Sequence, residues 1–284
     1  MRFLVFGAAG AQGGAVARTL AESGYEVRGF VRTGKAPRGV EPFRGDLGDA
    51  ARVKEAFAGV THASVVLPMV YEPETVAAFT RHVISGARAA GVRRLVFNTG
   101  NRLPDHETGV AAFDTRRAAV RALRASGLPV VVLRPALYLE NLLAPGVMAD
   151  GVLRYPLPAA LPVAWLTHTD LAALTAAALT GFADKLDKNR PAAPTGDGPG
   201  CVVDAGGPSA LTGPEVAAVF GLRYEEQDVD AFEAGLAGVV DAVTAGEVAA
   251  TYRWIASAAP PSLLGTGPSL GVRLTTVAAW AGHR

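Results

Sequence analysis

Short apolar runs alternate with longer amphipathic stretches over the first half of the chain. The runs have the uninterrupted apolar character of strands buried on both faces of a sheet. The predicted strands cover RFLVF (2–6), EVRGFVR (26–32), a short segment within VEPFRGDLGD (40–49), ASVVLPM (63–69), RRLVFNTG (93–100) and LPVVVLRP (128–135). Helical patterns lie between them at 15–24, 51–60, 73–90 and 113–127. This alternation predicts βαβ units and therefore an α/β fold, a doubly wound parallel sheet.

The regular alternation of strand and helix patterns becomes less clear after about residue 152. Helical patterns continue, but turns rich in proline and glycine separate them. Thr212 and Glu215 open one helix with the spacing of a capping box. The predicted elements are helices at 167–182, 211–221 and 229–257, a strand at 201–207 and a polar loop at 187–200.

This change of pattern divides the chain into two parts. Residues 1–152 are expected to form a domain around the doubly wound sheet. Residues 153–284 are expected to form a smaller C-terminal α+β lobe. Within that second part, segments 167–183 and 200–206 are predicted to pack back onto the first domain.

The first strand runs directly into a glycine-rich turn, VFGAAGAQGG (5–14). Gly7, Gly10 and Gly13 have the spacing G-x-x-G-x-x-G. At the first strand–helix junction of a doubly wound sheet, glycines permit a sharp turn, a close backbone approach to a pyrophosphate and tight helix packing. A purely structural turn is the alternative, but this context favours a dinucleotide site.

The end of the second strand indicates which dinucleotide the chain prefers. Arg32 stands where a protein that prefers NAD usually carries an acidic residue, and the run FVRTGK contains no Asp or Glu. A guanidinium pairs well with a ribose 2′-phosphate, and Lys35 follows nearby. A solvated arginine at a strand end is the alternative. We predict NADP(H) as the cofactor.

The ends of the later strands are expected to line the same crevice, because ligands bind at the carboxyl edge of such sheets. Asp46 and Leu47 follow the third strand and are predicted to frame the adenine, although aspartate in this position also forms turns. The predicted cofactor contacts are Gly7, Ala9, Gly10, Gln12, Gly13, Arg32, Lys35, Asp46, Leu47, Leu67, Pro68, Met69, Asn98, Thr99, Arg116 and Pro135.

Charge and cysteine content narrow the classes of function. The chain has 27 basic and 26 acidic residues, a formal net charge of +1, which lacks the basic surplus of a nucleic-acid-binding domain. Cys201 is the single cysteine, so no disulfide framework is expected, and a reducing cytoplasm suits the chain. Charges and prolines interrupt the apolar stretch at 128–149, so no membrane span is predicted.

The sequence lacks the motifs of metal sites and of α/β-hydrolases. The five histidines are scattered without an HExxH motif or another recognisable ligand cluster, so no metal site is predicted. No G-x-S-x-G sequence is present, so the nucleophile motif of an α/β-hydrolase is missing.

Five segments taken together resemble one family. They are GAAGAQG, VRTGK, GDLGD, ASGLPVVVLRPALYLENLL and HTDLAALTAAAL. In combination they resemble the NmrA-like branch of the atypical short-chain dehydrogenases/reductases, over nearly the whole chain. The resemblance implies a Rossmann fold that binds NADP(H), with a small C-terminal lobe covering the pocket. Some members resemble NADPH-dependent quinone or related reductases, and others are redox sensors that bind the cofactor without turnover.

The sequence departs from the short-chain reductases in its chemistry. Those enzymes use a Tyr-x-x-x-Lys pair, whereas the helix AAFDTRRAAVRAL contains neither residue. Arg116 or Arg117 stands where relatives often carry the lysine. Arginine stays protonated and cannot relay a proton, but it can donate to a ribose hydroxyl. A solvated helix face is the alternative for most of these arginines.

A pocket is expected where the sixth strand and the C-terminal lobe meet. Its predicted residues are Met69, Tyr71, Tyr138, Asn141 and Trp165, an aromatic and apolar set with a few polar groups. Tyr138 is the expected proton donor. Ordinary core packing between the two lobes is the alternative.

These observations favour an NADPH-dependent reductase of small apolar or aromatic electrophiles such as quinones, acting by direct hydride transfer. The alternative is a non-catalytic NADP(H) sensor that acts through a protein partner. The expected partner is a small-molecule substrate, with neither nucleic acid nor membrane, and a homodimer stays open.

Overall fold

The computed structural model describes residues 1–181, 200–258 and 260–283. In the first half, strands and helices alternate as β1 (Arg2–Phe6), α1 (Ala11–Glu22), β2 (Glu26–Val31), β3 (Glu41–Arg44), α2 (Ala50–Ala56), β4 (His62–Val66), α3 (Pro73–Ala89), β5 (Arg94–Asn98), α4 (Ala111–Ala125) and β6 (Val130–Pro135). The second half adds β7 (Met148–Ala149), β8 (Val152–Tyr155), α5 (His168–Thr180), β9 (Gly200–Ala205), α6 (Gly213–Val219), β10 (Arg223–Glu226), α7 (Val229–Leu236), α8 (Ala242–Ala258) and α9 (Val277–Ala281). Short 3-10 helices lie at Leu139–Leu143 and Pro261–Leu264.

Among the described strands, seven form one parallel sheet in the order β3-β2-β1-β4-β5-β6-β9. The strand order reverses between β1 and β4. A crevice opens at such a switch point, at the carboxyl ends of the strands, and ligands bind there in doubly wound sheets. The predicted α/β doubly wound fold is therefore confirmed.

The central strand β1 explains why helices cover both faces of the sheet. Successive side chains of a strand point to opposite faces. Phe3 and Val5 pack against α1 and α5 on one face, and Leu4 and Phe6 pack against α2, α3 and α4 on the other. All four side chains are fully buried. Burial of each contributes about 1.5–3 kcal/mol of hydrophobic stabilisation.

A second, smaller sheet has the order β10-β8-β7 within the described residues. Strand β10 runs parallel to β8, and β7 runs antiparallel to it. A third apolar cluster, with Phe113, Tyr155, Trp165 and Tyr252 at its centre, fills the space between this sheet and the C-terminal helices. The two-domain division at residue 152 stays a prediction.

Two sequence expectations need comment. The single helical pattern over 229–257 is divided into α7 and α8, so that prediction is wrong in detail. Glycine at 235 and 238 weakens the helix there, and the Asp241 carboxylate accepts the Thr244 N–H at 2.9 Å, which begins a new helix. The loop predicted at 187–200 lies outside the described residues, apart from Gly200 at the start of β9.

The buried carboxylate of Asp170 in α5 binds the C-terminal segment at Thr275. Thr167 caps the helix by accepting the Asp170 N–H at 2.9 Å. The Asp170 side chain, 3% exposed, is then free of the capping role. It accepts the Thr275 N–H at 2.9 Å and the Thr275 hydroxyl at 3.0 Å.

We expect Asp170→Ala to lower the free energy of unfolding by about 1–3 kcal/mol, because it leaves the Thr275 N–H without its acceptor. Urea denaturation measures the change. Thr169→Ala is the matched control, since Thr169 is exposed in the same helical turn. Equal stability of the two variants would show that the Asp170–Thr275 contact does not hold the segment.

Candidate active site

The glycine turn after β1 is held by backbone hydrogen bonds. Gly7 has a φ of +69°, in the left-handed region that favours glycine. The N–H groups of Gly7 and Ala8 donate to the Phe30 carbonyl on β2, at 3.1 and 3.4 Å. The Gly10 N–H closes the turn by donating to the Gly7 carbonyl at 2.8 Å.

Helix α1 begins directly against this turn. A Cβ at Gly13 would lie 2.4 Å from the Gly7 carbonyl oxygen and 2.6 Å from that of Phe6. Only glycine permits this approach. Within the described residues no side chain caps the helix at Gly10, so the first-turn N–H groups remain available at the open end of the turn. The turn and the start of α1, which we call the cradle, therefore fit a phosphate group.

The loop after β2 stands beside the cradle. Gly34 has a φ of +84°, and a Cβ there would lie 3.3 Å from the Ala9 side chain. Arg32 and Lys35 flank this contact and are exposed. Two cationic side chains are thus free to reach a ligand that leaves the cradle toward β2.

The loop after β3 contains an acidic residue that is used within the loop itself. The exposed Asp46 carboxylate accepts the Gly48 N–H at 2.7 Å, which is a turn formed by the aspartate itself. Leu47 is half-buried, and its carbonyl lies 2.8 Å from Nδ1 of His82. Contact of Asp46 and Leu47 with an adenine stays a prediction.

One glutamine joins the cradle to the ends of β5 and β6. Oε1 of Gln12, in the first turn of α1, accepts the side-chain amide of Asn98 at 2.8 Å and the hydroxyl of Tyr138 at 3.2 Å. The other amide atom of Asn98 is used as well, because its Oδ1 accepts the Gly100 N–H at 2.9 Å. These bonds fix the polar side chains at the centre of the crevice.

A cavity of about 210 Å³ lies next to Gln12. Its walls come from the strand ends, from the start of α4 and from α8. The predicted pocket residues Met69, Tyr71, Tyr138 and Asn141 line it, together with Leu67 and Thr99 from the predicted cofactor contacts. The size and the mixture of aromatic walls with a few polar groups suit a small organic ligand.

Arg116 is buried in the cavity wall, with 5% of its surface exposed. Its guanidinium donates to the carbonyls of Pro68 and Val70 and lies 5.1 Å from the centre of the Tyr71 ring. Burial lowers the pKa of Arg116 to about 10, although the Tyr71 phenol opposes this shift. Arg116 is therefore still charged at neutral pH. It fixes the segment after β4, and its contact with a ribose stays a prediction.

Tyr138 is also buried, with 5% exposed. Burial raises the pKa of its phenol above the usual value, the neighbouring Asn98 amide lowers it, and the Glu140 carboxylate raises it further. The phenol therefore keeps its proton at neutral pH. The ring packs against His168 with 4.8 Å between ring centres, so the hydroxyl is held toward Gln12 and the cavity.

The described residues contain no group of three or more His, Cys, Asp or Glu side chains arranged to hold a metal ion. In the same part of the chain, none of the helices combines the length and the apolar character that crossing a membrane requires.

The sequence profile of the NmrA-like family matches residues 1–198, which is more than half of the chain. This protein belongs to the NmrA-like family. The resemblance seen in the sequence is therefore confirmed.

Two relatives of this NmrA-like protein and one solved structure with a similar fold are informative. It is 35% identical over 247 residues to the (4-alkanoyl-5-oxo-2,5-dihydrofuran-3-yl)methyl phosphate reductase of Streptomyces griseus, covering 82% of this chain and 79% of the relative. It is 30% identical over 223 residues to the NAD(P)H azoreductase of Xenophilus azovorans, covering 76% and 71%. The structure of an NADPH-dependent quinone oxidoreductase of Escherichia coli, complexed with NADPH, has a TM-score of 0.69 at 24% identity, covering 100% of this chain and 99% of that one. This last likeness concerns the fold.

Trp165, a predicted pocket residue, and Pro135, a predicted cofactor contact, do not line the cavity of the NmrA-like chain. Trp165 is not among the cavity residues; its ring packs edge-on against Tyr155, with 5.2 Å between ring centres. The next residue, Leu166, pairs with Tyr138 in an isolated bridge. This pairing places Trp165 in the core of the C-terminal part. Pro135 is buried at the end of β6 opposite Ala205, and Ala136 and Leu137 line the cavity instead.

Sequence reasoning missed the outer wall of the cavity. Val248, Thr251, Tyr252 and Ile255 of α8 line it. Their spacing of three and four residues marks a single helix face, which was visible in the sequence. The pattern did not indicate what that face packs against, because α8 lies more than a hundred residues from the other walls.

We expect Gly13→Ala to destabilise the NmrA-like chain by about 1–3 kcal/mol and to weaken dinucleotide binding, because α1 must move away from β1. Urea denaturation and fluorescence titration with NADPH measure the two effects. Gly235→Ala is the control, since a Cβ there meets no atom within 4 Å. A Gly13→Ala protein as stable as Gly235→Ala would contradict the proposed tight contact.

Proposed function

We propose that this protein is an NADPH-dependent reductase of small apolar or aromatic electrophiles, of the quinone type. The observation that carries the proposal is the position of Gln12. This residue belongs to the cradle and lines the cavity at the same time. A dinucleotide extended from the cradle would therefore end at the cavity.

We expect residues on both sides of the cradle to hold the cofactor. The free N–H groups in the first turn of α1 would bind the pyrophosphate, and Arg32 and Lys35 would bind a 2′-phosphate. Asn98 and Thr99 lie at the opposite end of the crevice. When bound, NADPH supplies the hydride that reduces the substrate.

The relatives support a reductase. The Streptomyces griseus protein is named for the reduction of a phosphate ester of an unsaturated lactone, and the Xenophilus azovorans protein for the reduction of azo compounds. The Escherichia coli structure is of a quinone reductase complexed with NADPH. Each of these acceptors is a conjugated electrophile, which delocalises the charge that arrives with a hydride.

The proposed reduction also requires a source of protons. Reduction of a quinone to a hydroquinone takes one hydride and one proton. Tyr138 keeps its proton at neutral pH and lines the cavity, so it would donate that proton, directly or through solvent. A quinone needs only weak assistance from an acid, which is consistent with the missing Tyr-x-x-x-Lys pair.

A sensor that binds NADP(H) without turnover is the second candidate. It is favoured by the missing Tyr-x-x-x-Lys pair and by Arg116, whose guanidinium is held by the Pro68 and Val70 carbonyls. The sensor predicts tight NADPH binding without oxidation of any acceptor, and action through a protein partner.

A single-turnover experiment separates these two functions. The protein is mixed with stoichiometric NADPH and then with menadione or 1,4-benzoquinone, and absorbance at the nicotinamide band is followed. We expect oxidation faster than the protein-free control. Tight binding without oxidation would favour the sensor.

We expect Asn141→Trp to abolish this oxidation and to leave NADPH binding unchanged, because the indole would fill the cavity. Leu143→Trp is the matched control, since Leu143 lies in the same 3-10 helix but is 46% exposed. Oxidation that persists in Asn141→Trp would place the reaction outside the cavity.

We expect Arg32→Ala to weaken NADPH binding by about tenfold or more and to leave NADH binding unchanged, since a charge-assisted hydrogen bond to the 2′-phosphate is lost. Fluorescence titration with both cofactors measures this. Arg81→Ala, an exposed arginine on α3, controls for the change of net charge. Equal losses of affinity for NADH and NADPH would mean that Arg32 does not bind the 2′-phosphate.

A further inference from the structure

The cavity is unusually positive for an apolar pocket. Among the described residues that line it there are two arginines, Arg102 and Arg116, and no acidic side chain. Arg116 is held by two carbonyls and the Tyr71 ring. Arg102 is buried equally well, with 5% exposed, but its contacts are far fewer.

Within the described chain, the guanidinium of Arg102 makes one hydrogen bond, from Nη2 to the Gly265 carbonyl at 3.2 Å. Its Nε is buried and has no hydrogen-bond partner there. A buried donor without an acceptor is costly, and a guanidinium carries five N–H donors. The side chain is therefore incompletely satisfied.

The neighbouring carboxylate of Asp204 pairs more closely with Arg134 than with Arg102. Both oxygens of Asp204 accept from Arg134, at 2.6 Å from Nε and 3.0 Å from Nη2. Nε of Arg102 lies farther away, 3.7 Å from Oδ1. The next carboxylate, Asp105, pairs with Arg134 and its side chain is 94% exposed.

The buried Arg102 and the half-buried Arg134 thus share the carboxylate of Asp204, whose side chain is 35% exposed. Burial lowers the pKa of Arg102, Asp204 raises it, and the Arg134 guanidinium lowers it again. Arginine nevertheless stays protonated in proteins. The charge persists at the cavity wall, and Asp204, its one ion-pair partner among the described residues, lies at the longer distance of 3.7 Å because it also pairs with Arg134.

We propose that Arg102 binds an anionic group of the substrate, a phosphate monoester or a carboxylate. The guanidinium fork suits either group, and the low exposure of the site strengthens the pairing. This inference rests on the proposed reductase function and narrows it. The preferred substrate is a small conjugated electrophile with an anionic arm, and neutral quinones are poorer substrates.

The first test uses the wild-type protein saturated with NADP⁺, because a phosphate ester also suits the cradle. Phenyl phosphate, benzoate and benzyl alcohol are titrated by calorimetry. We expect at least one of the anions to bind about tenfold or more tightly than the alcohol. The tighter anion identifies which acidic group the site prefers. Equal affinity for all three compounds would overturn the proposal.

The second test assigns the effect to one side chain. We expect Arg102→Met to lose at least tenfold in affinity for the preferred anion and less than twofold for benzyl alcohol. Arg121→Met, an exposed arginine of α4, should retain the wild-type preference. An anion preference that survives in Arg102→Met would overturn the assignment.

Two further measurements keep the test decisive. Arg102→Lys keeps the positive charge but loses the planar guanidinium fork. This variant replaces Arg102→Met if that protein does not fold. A reduced anion preference in Arg102→Lys then supports the proposal, and an unchanged preference opposes it. The single-turnover oxidation of NADPH tests the reductase function independently of the anion preference. Loss of NADPH oxidation with the anion preference intact would remove the reductase function alone, whereas normal oxidation without the preference would remove only the role of Arg102.

Discussion

The close contact between α1 and the end of β1 is the constraint on which the rest of the site depends. A helix that approaches carbonyl oxygens so closely has no room for a Cβ at Gly13. The approach brings the helix N-terminus against the turn, and it also places Gln12 within reach of Asn98 and Tyr138. The same geometry thus forms the phosphate cradle and organises the polar centre of the crevice.

The second constraint is the burial of charge around the cavity. Arg116 fixes the segment after β4 through two carbonyls, so the wall that carries Met69 and Tyr71 is held from behind. From the outside, the Thr244 hydroxyl of α8 donates to the Met69 carbonyl at 3.3 Å. Hydrogen bonds from two helices thus hold this segment of the wall, although the Met69 side chain is itself 55% exposed.

The sequence was sufficient for the sheet and the cradle. Strands such as LVF at 4–6 are apolar at every position because both of their faces are buried, so they can be recognised without a structure. The turn glycines can be recognised by their place after the first strand. The short strands β7, β8 and β10 were missed, since two to four residues are too few to show a period.

The site was predictable only in part. Met69, Tyr71, Tyr138 and Asn141 follow strand ends, and the topology of a doubly wound sheet brings strand ends together. Trp165 does not line the cavity because the bridge between Leu166 and Tyr138 sets the direction of its side chain, and the contribution of α8 depends on long-range packing. Arg102 was overlooked for a similar reason, since Asp204, the carboxylate shared with Arg134, is about a hundred residues away.

The wall contributed by α8 has a consequence for how such proteins diversify. Among the described residues, two hydrogen bonds join helix α8 to the walls contributed by β4 and α4, from Thr244 to the Met69 carbonyl and from the Ala112 N–H to Glu247 at 3.2 Å. Substitutions along its inner face would therefore change the outer wall of the cavity while the glycine turn keeps its geometry. That wall and the glycine turn lie on separate stretches of the chain, so the sequence of one is free to change while the other stays fixed.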